Sequence, residues 1–77
     1  MKNFDGFGAG EIAIIKWQYR LHGDFFMALF HAITKADDTN LRRIGEGFPD
    51  EVEAFKKYSQ VTGWWQDVEA RWLQRGQ

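Results

Sequence analysis

EIAIIKWQYRLHGDFFMALFHAITK, residues 11–35, is the stretch that decides the fold, because every residue in it except Gly23 is compatible with a helix. Glu11 suits the positive end of a helix dipole and Lys35 suits the negative end, so the pattern predicts one long helix, in which Gly23 could mark a bend or a close helix crossing. Its apolar residues fall in two adjoining arcs that cover more than half of the circumference. An ordinary surface helix needs an apolar stripe of about 100°. The pattern therefore predicts that a second copy of the chain covers part of this helix.

Three shorter helical segments are predicted after this helix, at residues 39–46, 49–61 and 63–75. Ala36-Asp37-Asp38-Thr39-Asn40 marks a break and a helix start, because Asp, Thr and Asn side chains accept hydrogen bonds from free N–H groups there. Pro49 suits the first turn of a helix. Val61-Thr62-Gly63 interrupts the pattern and Thr62 can cap the segment that follows. The last segment is therefore either a separate fourth helix or a kinked continuation of the third.

The first ten residues, MKNFDGFGAG, contain three glycines and are predicted to form a flexible arm. Phe4 and Phe7 in this arm could dock on an apolar groove, either on the same chain or on a neighbour. Together these patterns predict a single all-α domain over residues 1–77, a compact unit of three to four helices with a long first helix and a flexible N-terminal arm.

The composition favours self-association. A chain of 77 residues buries a small core, while this one carries four Trp, two Tyr and seven Phe. It has no cysteine, which excludes disulfides and thiolate metal sites, so a homo-oligomer in a reducing cytoplasm is expected. Ten basic and eleven acidic residues, without a basic block, argue against sequence-specific binding of nucleic acid.

Neither a membrane span nor a catalytic motif is expected. The longest apolar segment, residues 12–33, contains charged residues that the bilayer interior disfavours, and no secretory signal is apparent. His22 and His31 would lie on opposite sides of the predicted first helix and could not share a metal ion. Ser59, the only serine, lacks a nucleophile motif. Asp37 and Asp38 could act as an acid and base pair, but their place at a helix start favours capping. The chain is thus predicted to be no enzyme and to need no cofactor.

A candidate ligand site rests on cations and aromatic rings together. A guanidinium binds phosphate through two hydrogen bonds and an aromatic face stacks on a base, so such a set suits a small nucleotide. The candidate residues are Trp17, Arg20, Arg42, Arg43, Tyr58, Trp64, Trp65 and Arg71. The alternative is that the tryptophans belong to the core or an interface and that Arg42 and Arg43 pair with Asp37 and Asp38.

Residues 29–65, LFHAITKADDTNLRRIGEGFPDEVEAFKKYSQVTGWW, resemble small uncharacterised helical proteins of bacteriophages and prophages. The resemblance extends over about residues 14–68. The motifs that carry it are Trp17-Gln18-Tyr19-Arg20, Gly23 to Phe25, Ala36-Asp37, Asn40-Leu41, Gly47-Phe48-Pro49, Glu51-Val52-Glu53-Ala54, Tyr58 and Gly63-Trp64-Trp65. This resemblance assigns a functional role to no residue of the chain.

The resemblance implies a phage accessory protein that acts against host defence in the host cytoplasm. In the first of two mechanisms, the homo-oligomer sequesters a small nucleotide immune signal in pockets between its copies. In the second, the helices block a host defence protein by surface contact, as anti-CRISPR proteins do, with Asp50, Glu51 and Glu53 presenting negative charge. An accessory role outside defence is the third alternative.

Overall fold

Five helices connected by short turns make up the computed structural model, which describes residues 4–75. They are α1 (Ala9–Gln18), α2 (Asp24–Lys35), α3 (Asp38–Gly47), α4 (Pro49–Gln60) and α5 (Trp64–Arg75). The all-α prediction is confirmed across this range, whereas the predicted count of three to four helices is wrong. Two parts of the chain lie outside the described residues. They are residues 1–3, which belong to the predicted arm, and residues 76–77, which follow the last predicted segment.

The single helix predicted over residues 11–35 is wrong, because the chain turns sharply after α1. Arg20 has a φ of 56°, in the left-handed region that glycine prefers. Its N–H donates to the Trp17 carbonyl at 3.2 Å, and the Leu21 N–H donates to the Lys16 carbonyl at 2.7 Å. This pair of hydrogen bonds is the Schellman motif, which closes many helix C-termini.

Arg20→Gly is expected to stabilise the fold by about 0.5–1 kcal/mol, because glycine adopts a positive φ without the steric cost that a Cβ brings. The midpoint of urea unfolding measures this change. Gln18→Gly is the matched control, since Gln18 is exposed but helical, and it should lose about 0.5–1 kcal/mol. A lower midpoint for Arg20→Gly would contradict the described turn.

His22 holds α2 against α1 after this turn. Its Nε2 lies 2.9 Å from the carbonyl oxygen of Ala13, and because a carbonyl only accepts, Nε2 carries the proton. The imidazole ring also stacks on Phe26 and Phe30, with centroid distances of 5.0 and 5.6 Å. These contacts position α2 so that Phe30 enters the core.

Helix α1 is buried on two sides by its own chain. Ile14 belongs to a large cluster of buried residues, Ala13, Ile14, Phe30, Ile33, Val52 and Ala54. Ile15, the next residue, belongs to a small cluster formed with Val68 and Trp72. The wide apolar surface of residues 11–35, which predicted a covering second copy, is therefore largely accounted for within one chain.

Helix α4 is the closest neighbour of α1 and also packs against α3 and α5. Helices α1 and α4 approach each other closely at Gly10, where a Cβ would lie 2.9 Å from the Ala54 Cβ and 3.2 Å from the Asp50 carbonyl oxygen. A side chain at residue 10 would therefore force the two helices apart. Glycine here allows the contact that builds the large cluster.

The predicted starts of α3 and α4 are confirmed. The carboxylate of Asp37 accepts a hydrogen bond from the Asn40 N–H at 2.8 Å, and Pro49 is the first residue of α4. Helix α5 is a separate helix and not a continuation of α4, because the chain turns at Gly63, whose φ is 85°.

The described part of the predicted arm is packed on the same chain, so the prediction of a flexible arm is wrong from residue 4 onward. The Phe4 ring stacks on Trp72 at 4.9 Å, and Phe7 meets the same indole edge-on at 6.2 Å. Helix α1 already begins at Ala9, inside the predicted arm. Of the two docking modes expected for these phenylalanines, the one on the same chain is confirmed.

Candidate functional site

The aromatic residues of the predicted ligand site do come together, but in the core. The Trp17 ring lies 5.3 Å from that of Tyr58, which lies 6.0 Å from Trp65. Trp17 also stacks on the buried Phe30 at 5.0 Å. All three are half-buried against the large cluster, and Trp64 packs against both clusters. Their faces are thus largely occupied by neighbouring side chains, as the alternative interpretation of the tryptophans predicted.

The four predicted arginines do not join these rings. Arg20 is exposed in the turn after α1, and Arg42 and Arg43 are exposed on α3. Within residues 4–75 neither Arg42 nor Arg43 forms the ion pair with the neighbouring aspartates that the sequence suggested. Arg71 lies on α5 and is engaged in ion pairs with acidic residues. The eight candidate residues therefore do not form one pocket in a single chain.

Arg71 joins the two ends of the described chain. Its guanidinium donates to Glu11 at the start of α1 and to Asp67 one turn earlier in α5, and it lies 5.1 Å from the Phe7 ring centroid. Burial opposes ionisation of Glu11, but hydrogen bonds from the Gly8 N–H and from Arg71 outweigh it, so the pKa of Glu11 lies below its usual value. Pairing with Glu11 raises the pKa of Arg71. This arrangement holds the N-terminal segment in place.

An exposed apolar patch lies where α1 turns into α2 and where α3 meets α4. We name it the corner surface and define it by Leu21, His22, Phe25, Phe26 and Phe48. Phe25 is 61% exposed and Leu21 is 55% exposed. The ring of Phe25 lies 5.2 Å from Phe26 and 5.8 Å from Phe48, and Leu21 lines one cleft with His22 and Phe26, so the patch is contiguous. Contiguous exposed apolar patches of this kind mark interaction sites.

A cleft of about 300 Å³ opens beside this patch, and we name it the corner cleft. Its lining includes Ile12, Lys16, Leu21, His22, Phe26 and Glu51. Burial lowers the pKa of His22 although the Ala13 carbonyl raises it, so the imidazole is neutral at pH 7. The cleft thus combines apolar walls with one cationic and one anionic side chain.

A second cleft of about 300 Å³ lies between α3 and α4. Arg42 and Lys56 both line it, together with the carboxylate of Glu53 and apolar side chains. No aromatic ring of the described residues lines this cleft, so it offers charge to an anion without a stacking face.

The acidic residues expected to present negative charge do not line one common cleft. Asp50 and Glu53 line a cleft of about 260 Å³ together with Lys57 and Trp64, whereas Glu51 lines the corner cleft. The Lys57 ammonium lies 3.5 Å from the Glu53 carboxylate. The negative charge on this side of α4 is therefore partly balanced by its own lysine.

The two histidines lie in different parts of the fold. His22 lies in the turn before α2 and His31 lies within α2, so the argument that both belong to one helix is wrong. The Nε2 of His22 is engaged by the Ala13 carbonyl. Among residues 4–75 no three His, Cys, Asp or Glu side chains are grouped so that they could hold a metal ion.

Comparisons with models of known protein families, with curated proteins and with solved structures give no match. The resemblance to small phage proteins therefore stays a prediction. None of the helices in the described part of the chain has the length and apolar character needed to cross a membrane.

Proposed function

We propose that this chain is a non-catalytic binding protein that works as a homo-oligomer and blocks another protein by surface contact. The observation that carries the homo-oligomer is the corner surface, because Leu21 and Phe25 are more than half exposed there. Contact with the blocked protein then uses surface outside the corner, where Val61 and Leu73 are about half exposed. Burying such a patch against protein removes apolar area from water, at about 25 cal/mol per Å². In a bacteriophage, the blocked partner would be a host defence factor.

Contact with protein is better supported than capture of a nucleotide inside one chain. Base stacking needs an open aromatic face. Trp17 is sandwiched among Phe30, Phe55 and Tyr58, and the ring of Tyr58 is itself in contact with Trp65. A nucleotide would thus have to bind where two copies meet or use other groups.

Nucleotide sequestration is the second candidate function, and the cleft between α3 and α4 favours it. Arg42 and Lys56 line this cleft from adjacent helices and offer two positive charges to a phosphate. Arg43 is exposed on the same helix as Arg42. A nucleotide held here would bind mainly through its phosphates.

Native mass spectrometry of the purified protein, alone and with a panel of cyclic and ADP-ribose-type nucleotides, tests both candidates. We expect dimers or larger oligomers at micromolar concentration that gain no nucleotide mass. A monomer throughout the micromolar range would contradict the proposed function. Added nucleotide mass that disappears in Arg42→Ala would instead establish the second candidate, and Arg20→Ala is its control, because Arg20 is exposed outside this cleft.

A further inference from the structure

We infer that the corner surface binds the corner surface of a second copy about a twofold axis, with Phe25 of each chain entering the corner cleft of the other. This inference rests on the homo-oligomer proposed above and assigns its interface. It follows from the shape of the corner and from its charges.

Phe25 is shaped as the projecting part of such an interface. It is the second residue of α2, and its ring is supported on one side by Phe26, at an interplanar angle of 87°, and by Phe48. The ring is nevertheless 61% exposed. An aromatic side chain that is held in place but not covered loses little conformational entropy when it binds, which suits an anchor residue.

The corner cleft is shaped to receive that ring. Its apolar walls come from Ile12, Leu21 and Phe26, and its volume of about 300 Å³ is enough for one aromatic side chain. Phe26 belongs to both features, since it supports Phe25 on one side and lines the cleft on the other. Projection and cleft therefore share one face, which is the self-complementarity that a twofold interface requires.

The charges in the cleft select the same partner. Lys16 and Glu51 line it with opposite signs, and neither is in an ion pair within residues 4–75. The Lys16 ammonium lies over the Phe4 ring, 5.3 Å from its centroid, and keeps its charge there. In a twofold contact, Lys16 can approach the partner's Glu51 twice, once on each side of the axis. A strongly basic or strongly acidic partner would meet one repulsive residue in the cleft, whereas a second copy meets two attractive pairs.

Analytical ultracentrifugation of Phe25→Asp tests the projection. We expect the dimer dissociation constant to rise at least tenfold, because the substitution places a charge in an apolar cleft. Leu73→Asp is the matched control, since Leu73 is 49% exposed on α5 and is outside the corner surface. The dimer of this variant should have the same dissociation constant as the dimer of the unchanged chain. Circular dichroism verifies that both variants are folded, as expected for exposed positions.

Charge reversal tests the twofold geometry independently. Lys16→Glu and Glu51→Lys should each weaken self-association, because each creates two like-charge contacts. An equimolar mixture of the two variants should dimerise again, since both contacts then have opposite signs. This recovery is specific to the proposed arrangement.

The outcomes separate the inference from the proposed function. A monomeric unchanged chain overturns both. A dimer that Phe25→Asp leaves intact, or a mixture of the two charge variants that fails to pair, overturns the inference alone and leaves the homo-oligomer with a different interface. A dimer that is lost in Phe25→Asp and recovered in the charge mixture supports the inference.

Discussion

Phe30→Ala is expected to lower the free energy of unfolding by about 3–5 kcal/mol. A domain of this length has a total stability of about 4–12 kcal/mol, so the variant should be largely unfolded or close to it. Phe30 is fully buried in the large cluster. Its ring stacks on Trp17, near the end of α1, and on His22, in the turn before α2. Removing the ring leaves a cavity and also releases the contact that holds α2 in place.

Phe25→Ala is the control for this prediction, because it makes the same change in the same helix at an exposed position. It should cost less than about 1 kcal/mol when both variants are measured by urea unfolding at a concentration too low for dimers. Equal losses in the two variants would show that α2 does not pack through Phe30 as described.

Gly10→Val has the second large expected effect, a loss of about 2–3 kcal/mol in the free energy of unfolding. The clash arises because even a Cβ at this residue would lie 2.9 Å from the Ala54 Cβ and 3.2 Å from the Asp50 carbonyl oxygen. Backbone atoms of α4 cannot rotate away as a long side chain can. Helices α1 and α4 would have to separate, and the large cluster between them would lose packing.

Gly47→Val is the matched control for Gly10. Gly47 is also helical and has no atom within 4 Å of an added Cβ, so its substitution should change stability by less than about 0.5 kcal/mol. The difference between the two unfolding midpoints measures the close approach of α1 and α4. A Gly10→Val variant as stable as Gly47→Val would contradict that approach.

The second half of the fold could be predicted from sequence because its boundaries depend on local chemistry. An aspartate that caps a helix start, a proline in a first turn and a glycine at positive φ each act within a few residues. Asp37, Pro49 and Gly63 take these roles in the structure. Helices α3, α4 and α5 therefore begin close to the predicted residues.

The break between α1 and α2 had one weak signal in the sequence, Gly23, which could mark a bend and which precedes the first residue of α2. Arginine disfavours the left-handed conformation, so Arg20 offers no signal of a helix end. The turn depends on contacts that form only in the folded chain, namely the bond from His22 to the Ala13 carbonyl and its stacking on Phe30. Local preference for a helix was overridden by this packing.

The candidate site was missed for a related reason. Counting a continuous helix through residues 11–35 placed Leu21 and Phe25 in an arc of residues expected to be covered. The turn at Arg20 breaks the helical phase, so both side chains instead face outward at the corner surface. Likewise, side-chain type alone could not separate aromatic rings that build the core, such as Trp17, from rings that are open to a ligand.

The small cluster joins residues that are far apart in sequence, because Phe4 and Phe7 pack on Trp72 while Ile15 contacts the same group. Closing it requires the longest loop in the described chain, so in a folding reaction this part should form late. It can also open while Phe30 stays buried, since the two clusters contain different buried residues and share only the half-buried Trp64 and Trp65. The N-terminal segment and α5 are therefore expected to separate transiently. Amide protons of α5 would then exchange with solvent sooner than those of α1 and α4 that face the large cluster.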